Sequence, residues 1–181
     1  MTIAPLARVD AYNNWARAQN WPSLCDPSLA FEADILADLL AVWRREAGLT
    51  IPRRSAMSAR TLKPHLGNVA ILERTAKSPA RYQMRLMGTR LAHIVGDLQG
   101  RYLDEVVPPG LLVRWHAALD LTLAEGRPLR FTNRVDFRGL NFLQAELLLA
   151  PLLGTGDLPS MVLGATVFKS HVTPTGDAVL P

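Results

Sequence analysis

From Gly67 onward the apolar residues follow two different periods in turn, and the order of those periods constrains the fold more than any other feature of the chain. Val69 and Ile71 alternate with Asn68 and Ala70. After Ser78-Pro79, Tyr82, Met84 and Leu86 alternate with Arg81, Gln83 and Arg85. A period of two places alternate side chains on opposite faces of a strand, so these runs predict a hairpin. Gly88 then ends the alternation. Thr89 to Val95 has the composition of a short helix, and Leu111 to Glu125 is apolar at 111, 112, 115, 118, 119 and 123 before Gly126 and Pro128 stop it, the signature of a longer helix. Period two returns at Leu129, Phe131, Val135 and Phe137, again from Phe142 to Leu149, and again from Met161 to Lys169, with turns at Gly139 and at Gly154-Thr155-Gly156-Asp157. Two strands, short helices, a long helix and three strands predict an α+β fold. It is a five-stranded antiparallel sheet with a helical crossover between strands 2 and 3, and the helices cover one face.

The N-terminal third carries a second strong signal. Asp26 can cap a helix and Pro27 suits its first turn, and Phe31, Ile35, Leu39 and Trp43 recur every four residues until Gly48. The spacing predicts an amphipathic helix over residues 27–47. Burying four such side chains contributes about 6 to 12 kcal/mol before chain entropy is counted, so the stripe must meet either the body of the protein or another copy. Residues 1–25 contain Trp15 and Trp21 without a sustained period and read as an arm, helical in part or laid onto the body. A short helix is predicted around Ala59 to Leu66, limited by Pro64. The expected layout is an arm, helix and linker over 1–57, a domain over 58–170 and a tail over 171–181.

Composition excludes several classes. At 181 residues the chain suits one packed domain with an extension. The longest apolar stretch, Leu147 to Leu153, is far shorter than the roughly 18 to 20 residues of a membrane span, and the N-terminus lacks the apolar core of a signal peptide. With Cys25 as the single cysteine there is no internal disulfide and no cysteine cluster for zinc. A cytoplasmic location is expected. The net charge of +4 is concentrated, because residues 53–90 hold nine basic residues against Glu73 alone while both flanks are slightly acidic. Arg53, Arg54, Arg60, Lys63, Arg74, Arg81 and Arg85 form a basic patch that could attract a polyanion such as nucleic acid, or that could simply be a solvated face.

These segments together resemble the PAS domain superfamily, and more closely a group of PAS-like proteins of alphaproteobacteria that occur as short, largely stand-alone chains. The resemblance is carried by Pro52-Arg53-Arg54, by Leu62-Lys63-Pro64-His65-Leu66-Gly67-Asn68-Val69-Ala70-Ile71-Leu72-Glu73-Arg74 and by Tyr82-Gln83-Met84-Arg85-Leu86-Met87-Gly88-Thr89. It continues in Gly100-Arg101-Tyr102-Leu103-Asp104-Glu105-Val106 and in the strand pair Leu147 to Leu152 and Val162 to Ala165. It covers about residues 30–170. It implies a non-enzymatic sensory or regulatory module, a curved five-stranded sheet with flanking helices around a core that in some PAS domains holds a small ligand. Only eleven residues follow position 170, so the signal is expected to leave through a protein partner of a signalling pathway or through a homodimer, with the residue 27–47 helix as the docking element.

The chemistry on offer is sparse. His65, His93, His116 and His171 lie in no metal-ligand spacing. His93 with Asp97 and His116 with Asp120 stand at helical spacing and could form an acid-base pair, which makes a small acid-base enzyme on a cone-shaped α+β fold a further alternative. By the resemblance, His116 lies on the helix that supplies the iron ligand in haem-binding PAS domains. Covalent flavin chemistry needs a cysteine in the crossover, and residues 88–108 contain none; non-covalent flavin is not excluded. A ligand pocket is expected to be walled by Met84, Leu86, His116, Leu119, Phe131, Asn133, Val135 and Leu163. Asn133 sits in an apolar phase, so it either faces a ligand or water, or marks a bulge.

Overall fold

The computed structural model describes residues 8–135 and 143–170. The alternating runs form the expected hairpin, β2 (Val69–Arg74) and β3 (Tyr82–Met87), and the later strands β4 (Leu129–Arg134), β5 (Leu143–Leu153) and β6 (Pro159–Ser170). Between β3 and β4 run α3 (Thr89–Val95), α4 (Leu103–Val106) and α5 (Pro109–Glu125). The arm is both helical and laid onto the body, as α1 (Val9–Ala18) followed by β1 (Ser23–Asp26), and α2 (Asp34–Ala47) comes next. All strand pairs are antiparallel, in the order β1-β4-β5-β6-β2-β3. The five expected strands are therefore present with their helical crossover, and the arm adds a sixth at the edge. That strand has no readable alternation because it is four residues long and buries only Cys25. The expected turn at Gly139, the apolar Phe137 and the tail 171–181 lie outside the described residues.

Glycine fixes two boundaries. Gly126 closes α5 with φ +65°, a left-handed conformation that carries little penalty only without a Cβ. At Gly88 a Cβ would stand 2.1 Å from the carbonyl oxygen of Leu66, so only glycine lets the end of β3 pass this close to the 3-10 turn Lys63–Asn68. In that turn Pro64 occupies the first positions rather than ending a helix, which suits its missing N–H and fixed φ.

Helix α2 starts later than its sequence period suggests. Asp26 belongs to β1, where its carboxylate accepts from the N–H of Ser28 at 2.9 Å and from Arg130 at 2.9 Å. The chain then turns, and α2 begins at Asp34. The segment leading into it is held from a distance, because the Glu146 carboxylate on β5 accepts from the N–H groups of Glu32 (2.9 Å) and Ala33 (3.0 Å), the two residues before the helix. The apolar stripe meets the molecule's own sheet. Leu36, Leu39, Leu40 and Trp43 are buried with Ile71, Leu148, Ala150, Leu152 and Leu163, and Phe31 and Ile35 pack half-buried on the same cluster. Trp43 also donates its indole N–H to the carbonyl of Pro151 at 3.0 Å. The docking role expected for Phe31, Ile35, Leu39 and Trp43 is corrected accordingly, since these side chains close one face of their own sheet.

The opposite face is covered by α5, which packs over β5 and β6, and by α1 and α3. Both outer strands are covered along their edges. On β1 the side-chain amide of Asn13 donates to the carbonyl of Cys25 and accepts from the N–H of the same residue, both at 2.8 Å, as a neighbouring strand would. On β3 the N–H of Met84 donates to Arg101 and its carbonyl accepts from Gly100.

Candidate ligand cavity

The face under α1, α3 and α5 holds a partly open cavity of about 160 Å³. Its walls come from β2 (Ala70, Leu72), β3 (Met84, Met87), α3 (Leu91, Val95), α5 (Leu111, Arg114, Trp115, Ala118, Leu119) and β4 to β6 (Phe131, Asn133, Leu147, Leu149, Gly164, Phe168). Tyr12 of α1 and Ser23 of β1 also line it, as do Arg134 and Val135 at the end of β4. Five of the expected wall residues are placed there: Met84, Leu119, Phe131, Asn133 and Val135. Leu86 and Leu163 are not, since both lie on the α2 face. The cause is a bulge in the hairpin. Leu72 faces Met84 while Ile71 faces Leu86, leaving Arg85 as the extra residue, so the strand changes phase between Met84 and Leu86. Leu163 pairs with Ile71 and Ala150 on the outer face, and its neighbour Gly164 takes the inner position.

His116 does not line the cavity either. Its ring meets Tyr82 edge-on at 5.1 Å, and its Nε2 is buried without a hydrogen-bond partner. Burial pushes its pKa below the ordinary histidine value, against the pull of Asp120 and Asp104, so the ring is neutral at pH 7. Asp120 is committed elsewhere, accepting from the Tyr82 hydroxyl at 2.6 Å and pairing with Arg74 at 3.2 Å. The His116–Asp120 dyad is therefore not formed. Asp97 accepts instead from the N–H of Gln99 at 3.0 Å. With His116 outside the wall, the described residues lining the cavity offer haem no histidine ligand.

The arm supplies wall residues that carry no sequence signal. Tyr12 is fully buried, its ring edge-on to Phe131 at 5.4 Å, and its hydroxyl lies 2.7 Å from Ser23 Oγ. Burial, only partly opposed by that hydrogen bond, raises the phenol pKa to about 12. Asn133 faces Ser23 across the strand pair, and its Oδ1 is buried without a partner inside the protein. An acceptor left in this state costs about 1 to 3 kcal/mol. Arg114 is 7% exposed, and it and Arg134 are both engaged in interactions.

A second polar cluster joins the arm, β4 and β5. Arg130 donates from Nε to Glu146 at 2.7 Å and from Nη1 to Asp26 at 2.9 Å. Burial pushes the Glu146 carboxyl upward, yet the Glu32 N–H, Arg130 and the Ala33 N–H outweigh it and hold the pKa below the ordinary glutamate value. The basic patch is dispersed by comparison. Arg53 pairs with Asp157 (3.3 Å), Arg74 with Asp120 (3.2 Å), Arg81 with Asp104 (2.9 Å) and Glu105 (3.0 Å), and Arg85 with Glu73 (3.3 Å). Arg54 donates to the carbonyl of Met57, and Arg60 and Lys63 are exposed. Carboxylates thus neutralise much of the charge a polyanion would need. Among the described residues no group of three His, Cys, Asp or Glu could hold a metal ion, and no helix is long and apolar enough to cross a membrane.

No curated protein sequence matches this chain. Among solved structures it is similar to one described as an RNA-binding light-oxygen-voltage receptor, at TM-score 0.46 and 15% identity, covering 83% of this chain and 39% of that one. It is also similar to a variant of the protein RsLOV, at TM-score 0.39 and 14% identity, covering 82% of this chain and 73% of that one. The chain thus spans well under half of the first of these proteins. The family model described as "PAS domain" matches residues 32–167, three quarters of the sequence, and the chain belongs to the PAS domain family.

Proposed function

We propose that this PAS module is a non-enzymatic sensor that holds a small molecule between its sheet and its helices and reports occupancy to a protein partner or a second copy of the chain. The observation that carries this reading is the cavity itself, a volume of about 160 Å³ between the sheet and its helices with mostly apolar walls. A route outward is available. Tyr12 and Ser23 place α1 and β1 in direct contact with the cavity, so filling it changes the environment of the arm. The absence of a formed histidine–carboxylate dyad at Asp120 or Asp97 supports a binding role over an acid-base one.

Native mass spectrometry of the full chain, before and after mild organic extraction, tests the reading. The expected result is a chain mass accompanied by a removable small molecule, with slower amide exchange in residues 9–26 for the loaded form. A bare chain mass, together with exchange in 9–26 that no added small molecule alters, overturns it.

A further inference from the structure

We propose that the cavity selects a small amphipathic carboxylate, an apolar body of one ring or a short branched chain that carries a single acidic group. This rests on the sensory reading above and specifies its ligand. The sign of the charge in the wall comes first. Arg114 on α5 and Arg134 at the end of β4 both line the cavity, and among its described lining residues none is acidic. Both guanidinium groups are engaged by other groups. A guanidinium so engaged keeps its charge and, with five N–H donors, can take up a further acceptor. Low-dielectric walls that carry one sign of charge concentrate its field on whatever enters.

The two arginines stand at the same end. The backbone N–H of Arg134 donates to the carbonyl of Pro22 at 2.9 Å, next to Ser23, whose Oγ lies 2.7 Å from the Tyr12 hydroxyl. The charge of Arg114 acts on that same phenol, drawing its pKa downward against burial. The arm thus marks a basic end of the cavity, with Arg134 exposed at the rim and Arg114 buried behind it. The other end belongs to β3, at the far edge of the sheet, and to α3, which contribute Met84, Met87, Leu91 and Val95. An ionised carboxylate leaves water at tolerable cost only where it is paired, and the planar fork of arginine matches its two oxygens. A dry protein cavity of roughly 150 Å³ takes a benzene-sized molecule. The volume here, about 160 Å³, sets the body at one ring or a chain of similar bulk.

The test measures binding of phenylacetate, its neutral isostere phenylacetamide, phenethylammonium and benzylphosphonate to the full chain by calorimetry, with native Arg134 and with Arg134→Gln at that exposed position. Phenylacetate is expected to bind about tenfold more tightly than phenylacetamide, and phenethylammonium most weakly of the four. In Arg134→Gln the advantage of phenylacetate over phenylacetamide is expected to fall to about threefold. The methyl resonances of Met84 and Met87 are expected to shift as phenylacetate is added, while those of Met57 and Met161, on the α2 face, stay in place. Phenylacetamide binding as tightly as phenylacetate to the native chain, or a full preference kept by Arg134→Gln, overturns the two-arginine assignment. Tightest binding of benzylphosphonate overturns the carboxylate, and shifts confined to Met57 and Met161 overturn the cavity as the site. If no probe binds while native mass spectrometry shows a retained molecule, the ligand class is wrong and the sensory reading stands. If phenylacetate binds as expected but neither amide exchange in residues 9–26 nor self-association responds, the class stands and the sensory reading falls.

Discussion

On one face of the sheet α2 lays Leu36, Leu39, Leu40 and Trp43 against Leu148, Ala150, Leu152 and Leu163 as a closely packed layer. On the other, α5 stands over β5 and β6 with a cavity beneath it, walled by small and flexible residues such as Ala118, Gly164, Met84 and Met87 and reached by the polar groups of Asn133 and Ser23. The same strands serve both faces, so the difference lies in what each helix contributes. Helix α2 brings large side chains in a narrow stripe and is anchored at its N-terminus by Glu146. Helix α5 is apolar over more of its circumference but faces the sheet partly with alanines. One face stores stability, and the other gives up packing for internal space.

The comparison breaks most severely at the packed face. Trp43→Ala removes a 7% exposed ring and its bond to Pro151, and is expected to cost about 3 to 5 kcal/mol by chemical denaturation, or to prevent folding. Glu146→Gln comes next. It leaves Arg130 with Asp26 as its nearest carboxylate and weakens the anchor of α2, for an expected loss of about 3 kcal/mol. This variant also changes the pH profile. The folded pKa of Glu146 is depressed, so its contribution is full above the unfolded value of 4.5 and is lost as pH falls below it toward the folded pKa. Denaturation midpoints measured below pH 5 are expected to fall less steeply for Glu146→Gln than for the native chain. A matching slope in both proteins would remove Glu146 from the account.

The cavity face should respond in the opposite direction. Asn133→Leu replaces an unpaired acceptor with hydrocarbon in an apolar wall, and is expected to raise stability by about 1 kcal/mol in the absence of added ligand. A loss of the same size would mean that the amide is satisfied in solution. The smallest effect belongs to the basic surface. Arg85→Ala removes a half-exposed partner of Glu73 and is expected to change stability by less than about 0.5 kcal/mol, with little dependence on salt.

The strands and long helix were legible because period and turn chemistry agreed over their whole length. Leu129 to Arg134 and Leu111 to Glu125 are such cases. What failed was phase and partnership. Nothing in Tyr82-Gln83-Met84-Arg85-Leu86 announces that Arg85 is a bulge, and one extra residue moves Leu86 to the opposite face. The start of α2 was hidden because the two residues before it, Glu32 and Ala33, are held by Glu146, more than a hundred residues away. Tyr12 and Ser23 gave no signal, since four residues cannot display a period and a buried tyrosine in a short helix looks like ordinary core. Asn133 was the one cavity residue marked by its chemistry, a polar side chain in an apolar phase.

The amide of Asn13 has a consequence for how copies of this protein can meet. A sheet grows by offering unpaired N–H and C=O groups to another chain, and on β1 the outward pair of Cys25 is already spent on a side chain. At the far edge the segment from Gly100 to Tyr102 does the same for β3. A six-stranded sheet is in this way given a fixed width, so crowding at high concentration should bring helices and loops into contact rather than extend a ladder. Asn13 is thus a selvedge, a finished border that keeps the fabric from being continued by its neighbours.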